Sequence, residues 1–147
     1  HARAFDPTAS RAGYGHDAAR LGDALRAMLA RAGTSAAAVD RVASGASGAI
    51  AGDRLEARTL SAAWQDQPLP AMTTPKRVTG EYGGGFLVAA VLATTGVACP
   101  PDADAMADPD LPCPPPTRPI TGHAALTLVS SLASGGAASW VLLESAA

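Results

Sequence analysis

The chain has 147 residues, room for one ordinary domain and not comfortably for two, and it is read as a single domain over 1–147. Its composition is 48% hydrophobic, 16% charged and 4% aromatic, so apolar burial falls to Ala, Leu and Val, whose small side chains suit helices packed closely on a sheet. The net charge is −2 and the 11 basic residues are scattered, which argues against nucleic acid or an anionic membrane as a partner, because both need clustered positive charge.

In chain order, residues 2–7 read as a short edge strand ending at Pro7, and 8–17 as a loop rich in turn formers in which His16 is a solvated residue. Over 18–32 the residues Leu21, Leu25, Met28 and Leu29 recur at helical spacing, arginines take other faces, and Gly33 stands at the stop position. Residues 39–44 predict a strand, 45–52 a turn of small residues, and 53–64 a helix that opens on Asp53 and carries Leu55, Leu60, Ala63 and Trp64 inward. The glycines of that turn match neither a P-loop nor the dinucleotide fingerprint. A strand over 69–74, a polar loop over 75–85 holding the only lysine, Lys76, and a helix over 85–95 follow. In that helix Phe86, Leu87, Ala90, Val91 and Thr94 are expected to be buried.

Residues 98–119 hold most of the prolines and predict an irregular surface connection. Cys99 and Cys113 fall in it, with no C-x-x-C and no histidine at ligand spacing, so reduced thiols in a cytoplasm are expected and no metal site. His123 then precedes two strands, over 124–129 and 139–143, joined by a tip of small residues over 130–136, and as an edge residue it is read as structural. The apolar stretch from Phe86 to Val97 is too short to span a bilayer, and no signal peptide is expected. A beginning at His-Ala-Arg-Ala-Phe suggests a piece of a larger polypeptide.

Three stretches, in this order, resemble one family. Val39-Asp40-Arg41-Val42-Ala43-Ser44-Gly45-Ala46-Ser47 is similar to V-D-x-V-x-A-H-G-T, with a downstream acidic pair at Asp53 and Glu56. Lys76-Arg77-Val78-Thr79-Gly80-Glu81 is similar to K-x-x-T-G-H, and Ser130 to Ala138 to N-S-F-G-F-G-G-x-N. Together they resemble the β-ketoacyl synthases over most of the chain, and imply an α/β fold, the C-terminal half of a thiolase-like fold with a mixed five-stranded sheet and packed helices. The resemblance puts the family's two catalytic histidines at Gly45 and Glu81 and its lysine at Lys76; Leu132 and Ser134 stand where the turn has phenylalanines.

A glycine offers no donor to a developing oxyanion, and a glutamate beside an enolate opposes it unless it is protonated or turned toward Lys76. The pattern is therefore most similar to the chain-length factor, the non-condensing partner of type II polyketide ketosynthases, whose P-K-x-x-T-G-R-x-x-x-G-G form matches residues 75–85 closely. The resemblance implies no catalytic residue in this chain, no cofactor, and a substrate channel bordered by Leu132, Ala133, Ser134, Gly135 and Gly136. The implied partners are an active ketosynthase subunit, the N-terminal half of the same fold and an acyl carrier protein. The alternative is a divergent ketosynthase or acyltransferase whose nucleophile lies in a separate or upstream N-terminal half; a third reading is a structural remnant that never meets substrate.

Overall fold

The computed structural model describes residues 1–95, 108 and 124–145. Cys99, Cys113, His123 and the proline-rich connection lie outside the described residues. Five strands form one mixed sheet: β1 (Ala2–Phe5), β2 (Arg41–Ala43), β3 (Ala71–Thr73), β4 (Leu126–Leu132) and β5 (Ala137–Glu144), in the order β1-β5-β4-β2-β3. β2 runs parallel to β3 and β4, pairing Val42 with Met72 and with Leu128, while β5 is antiparallel to β4 and to the edge strand β1. All three residues of β2 are buried, as a central parallel strand covered on both faces requires.

The first helix, α1 (Ala18–Arg31), forms where the periodicity places it. Asp17 caps it by accepting from the Arg20 N–H. It ends in a Schellman turn, with the Gly33 N–H on Ala30 and the Thr34 N–H on Leu29, which requires the left-handed φ of +72° that Gly33 adopts. Leu21, Leu25, Met28 and Leu29 face inward, and Gly22 lets α1 cross close to the next helix, since a Cβ there would lie 2.7 Å from that of Ala62. That helix, α2 (Ile50–Trp64), begins three residues before Asp53, so Asp53 sits inside its first turn. Together α1 and α2 cover one face of the sheet, burying Val42, Leu60, Trp64, Leu128 and Trp140.

The loop after β3 contains a short helix, α3 (Lys76–Thr79), and leads into α4 (Gly85–Thr95), which covers the other face over Ala43 and Val129. Here the sequence reading is corrected. Gly85 and Ala89 are the buried positions and Phe86, Ala90 and Ala93 pack beside them, whereas Leu87 (69% exposed), Val91 (60%) and Thr94 face outward. Small residues at i and i+4 let the helix approach the sheet, and in a helix apolar all round periodicity cannot say which side that will be. Residues 130–132 likewise continue β4, which shortens the tip to 133–136. No helix among the described residues is long and apolar enough to cross a membrane.

α2 ends on Gln65 at φ +56° and ψ −121°, backbone space that only glycine enters freely. Gln65→Gly is expected to raise unfolding stability by about 1 kcal/mol, the relief of strain exceeding glycine's own entropic cost. Urea denaturation measures it, and an unchanged or lowered midpoint contradicts the strain.

Candidate functional site

The site assembles at the carboxyl ends of β2 and β3. β2 delivers Ser44, whose N–H bonds the Thr73 carbonyl at 2.8 Å, and the chain then turns through 45–49 into α2. Glu56, 3% exposed, accepts from the Ser44 hydroxyl with one oxygen and from the Gly45 N–H with the other, at 2.9 Å. The Ala46 N–H donates to the Ser44 hydroxyl, and the N–H groups of Ser47 and Gly48 both donate to Asp53, each at 3.0 Å. The two acidic residues one turn apart on α2 thus hold the backbone of the loop, a role for charged acceptors that is worth roughly 1.5–3 kcal/mol per bond.

Gly45 has no space for a side chain. A Cβ there would stand 2.8 Å from the Ser130 carbonyl oxygen and 3.0 Å from the Ser131 Cα, both backbone atoms of β4. Beside it lies a void of about 10 Å³, bordered by Tyr14, Ser47, Asp53, Glu56 and Leu132. That is room for one water molecule.

Lys76 opens α3 and is 4% exposed, its stem passing beneath the start of α4, where a Cβ on Gly85 would lie 3.5 Å from Lys76 Cε. Its ammonium meets Glu81 at 2.7 Å, the Lys76 side chain 3% and the Glu81 side chain 49% exposed. The pair anticipated from sequence exists, but it is half-buried: Glu81 neutralises a buried cation from the solvent edge.

Tyr14 and Asp6 were not singled out by the sequence reading. Tyr14 packs its ring on α2 at Gly52, where a Cβ would come within 2.6 Å of Tyr14 Cζ. Burial pushes the Tyr14 phenol up, and the negative charges of Glu81, Asp53 and Glu56 push it further, so it stays neutral. The loop carrying Tyr14 is organised by Asp6, which is wholly buried and accepts from the Thr8 N–H and the Asp17 N–H, each at 2.9 Å, and from the Thr8 hydroxyl. Burial alone would raise the Asp6 carboxyl, but these bonds and the charge of His16 outweigh it and hold it below the ordinary value. An Asp-Pro-Thr turn and a tyrosine between two glycines, Gly13 and Gly15, were the signals available. His16 itself is exposed, as expected.

The hairpin tip rests on the same loop. The Gly135 N–H donates to the Gly13 carbonyl at 2.9 Å and the Asp6 N–H to the Gly136 carbonyl at 2.8 Å. Gly135 and Gly136 adopt φ of +81° and +88°, and a Cβ on Gly136 would collide with the Asp6 carbonyl. Leu132 is buried against the void, while Ala133 and Ser134 are exposed. The structure therefore joins Gly45 and Leu132 around one void, with Tyr14 on its wall, and sets Glu81, Ala133 and Ser134 outside it. Among the described residues no group of histidine, cysteine, aspartate and glutamate side chains could hold a metal ion.

Residues 4–98, which carry every element of the site except the hairpin, match the family model for the β-ketoacyl synthase C-terminal domain. The chain belongs to that family. Solved structures share its fold: the ishigamide ketosynthase/chain length factor, at TM-score 0.81 and 19% identity, and the Streptomyces albus oxazolomycin ketosynthase domain OzmH KS7, at 0.81 and 18%. The ketosynthase domain OzmH KS8 of the same organism follows at 0.68 and 19%. They cover 97%, 99% and 99% of this chain, which spans only 36%, 29% and 43% of theirs. No curated protein matches the chain. This β-ketoacyl synthase C-terminal domain is thus a thiolase-like unit in which Gly45 and Glu81 stand where the resemblance puts the family's histidines.

Two outcomes follow. Gly45→Ala is expected to cost about 1–3 kcal/mol, because the new methyl meets backbone that cannot swing aside; equal unfolding midpoints for Gly45→Ala and the parent would show the site to be open. The low carboxyl of Asp6 adds stability that is complete above its unfolded value of about 3.8 and is lost as pH falls below that through the folded value. Acid unfolding of Asp6→Asn should accordingly be shallower in that range than that of the parent, from a lower stability at neutral pH, and parallel curves would remove the role given to Asp6.

Proposed function

We propose that this chain is a non-condensing, chain-length-factor-like part of a polyketide- or fatty-acid-type synthase, which pairs with an active ketosynthase and borders the acyl channel. The observation that carries the reading is at Gly45. Condensation needs neutral donors aimed at the thioester oxygen and at the departing carboxylate. One family histidine position holds a residue without a side chain, hemmed in by the backbone of β4, and the other holds a carboxylate committed to Lys76.

The surface supports a partner. Leu87 and Val91 on α4, Phe5 on β1 and Val78 on α3 are each more than half exposed. An apolar helix of this kind is stable when covered on both sides, and burying each such side chain contributes about 1.5–3 kcal/mol. The partners proposed are the N-terminal half of the same fold and the active ketosynthase, with an acyl carrier protein delivering the chain. Leu132, Ala133, Ser134, Gly135 and Gly136 are the residues proposed to border the acyl path, with Leu132 at the inner end of the hairpin and the others at its tip.

The test is reconstitution with a condensing ketosynthase and a carrier protein. Product is expected only when the active ketosynthase is present, and Glu81→Gln, which keeps an acceptor for Lys76, should leave the rate within a few fold. A loss on the order of 10²-fold, the size of a general acid or base contribution, or acyl loading by the component carrying this chain alone, would establish the divergent-enzyme reading instead.

A further inference from the structure

One side chain that borders the void between Gly45 and Leu132 comes from a different part of the chain. Tyr14 belongs neither to β2, nor to α2, nor to the hairpin; it comes from the loop between β1 and α1 and enters the site from outside those elements. Three features commit the surroundings to it. Residue 52, on the first turns of α2, is a glycine, and any side chain there would overlap the phenol ring. The loop carrying Tyr14 is fixed on both sides by Asp6, whose carboxylate accepts from Thr8 and Asp17 and lies so close beneath Gly15 that a Cβ at that position would collide with it. The same loop is tied to the hairpin through Gly13 and Gly135, so it cannot swing away without releasing the tip.

We propose that Tyr14 is a plug: its ring fills the space between Gly45, the start of α2 and Leu132, restricts the site to a single water molecule, and turns the acyl chain away from Gly45. The last part rests on the acyl-channel role proposed above; the first does not. The phenol suits this place. Burial and the negative charges of Glu81, Asp53 and Glu56 keep it protonated, so it adds no negative charge beside Asp53 and Glu56, and its ring supplies the bulk that a glycine at position 45 leaves out. Tyr14 is therefore a specificity-determining residue that acts by exclusion.

The test compares Tyr14→Ala, Tyr14→Phe and Gly52→Ala in the protein in its native assembly, with phenol as the probe. Tyr14→Ala leaves a cavity the size of the deleted ring, and phenol at concentrations well above a millimolar Kd should raise its melting temperature by about 2–4 °C while leaving the parent and Tyr14→Phe unmoved. Gly52→Ala favours the helix locally and tests the same contact from the other side; by expelling the ring it should bring the phenol's ultraviolet titration down toward the ordinary tyrosine value. Absence of phenol stabilisation in folded Tyr14→Ala overturns the plug, and so does an unmoved titration in Gly52→Ala. If phenol fills the cavity but Tyr14→Ala leaves acyl loading and product lengths of the reconstituted synthase unaltered, the plug stands and the acyl-channel reading of this site falls.

Discussion

Both oxygens of the buried Glu56 carboxylate are taken by the end of β2, one by the Ser44 hydroxyl and one by the Gly45 N–H, and the rest of the site is arranged around that grip. A carboxylate removed from water is tolerable only when its acceptor capacity is used, and here the donors come from a loop that has no regular structure of its own to satisfy them. The bond also sets a distance. It holds Gly45 against the backbone of Ser130 and Ser131, where a glycine alone fits, so the electrostatic need of α2 and the steric limit at residue 45 are one constraint.

A second buried carboxylate does the same for the other wall. Asp6 ends β1, gathers the N–H groups of Thr8 and Asp17, and so shapes the loop that delivers Tyr14 and supports the hairpin tip. Charge-assisted bonds to backbone N–H groups are among the stronger polar interactions available to a protein. They give this glycine-rich loop a fixed form that its composition alone would not. Glu56 thus borders the void directly, whereas Asp6 acts on it through the loop that brings Tyr14 to its wall.

The faces of the sheet are treated unequally. α1 and α2 close one of them with the large side chains of the core, including Leu25, Leu60, Trp64 and Trp140. The other meets α4 through Gly85 and Ala89, leaving Leu87 and Val91 outward. Close approach by small residues lets the helix lie low on the sheet, and its remaining apolar surface suits a second layer above it. The same half of the molecule presents Lys76, whose charge is buried beneath α4 and neutralised by Glu81, so the polar centre and the apolar face are adjacent features of one surface.

The sequence by itself determined the alternation of strand and helix, the inward face of α1, the termination at Gly33 and the family. Each of these is written in local periodicity, in a capping residue or in a motif of fixed spacing. It also anticipated the Lys76–Glu81 pair, because five residues across a tight turn bring two side chains together. The buried side of α4 was decided only in three dimensions: apolar residues on every side carry no period, and contact with Ala43 and Val129 selects the small ones. The extension of β4 through Leu132 was likewise set by pairing with Ala138, which overrides the turn-like look of Ser130 and Ser131. The contact of Tyr14 with Gly52 and the closed space at Gly45 belong to the tertiary structure too, since they depend on segments more than 30 residues apart in the chain meeting beyond the end of one short strand. No local pattern encodes the distance between a glycine and the backbone of a strand that far away.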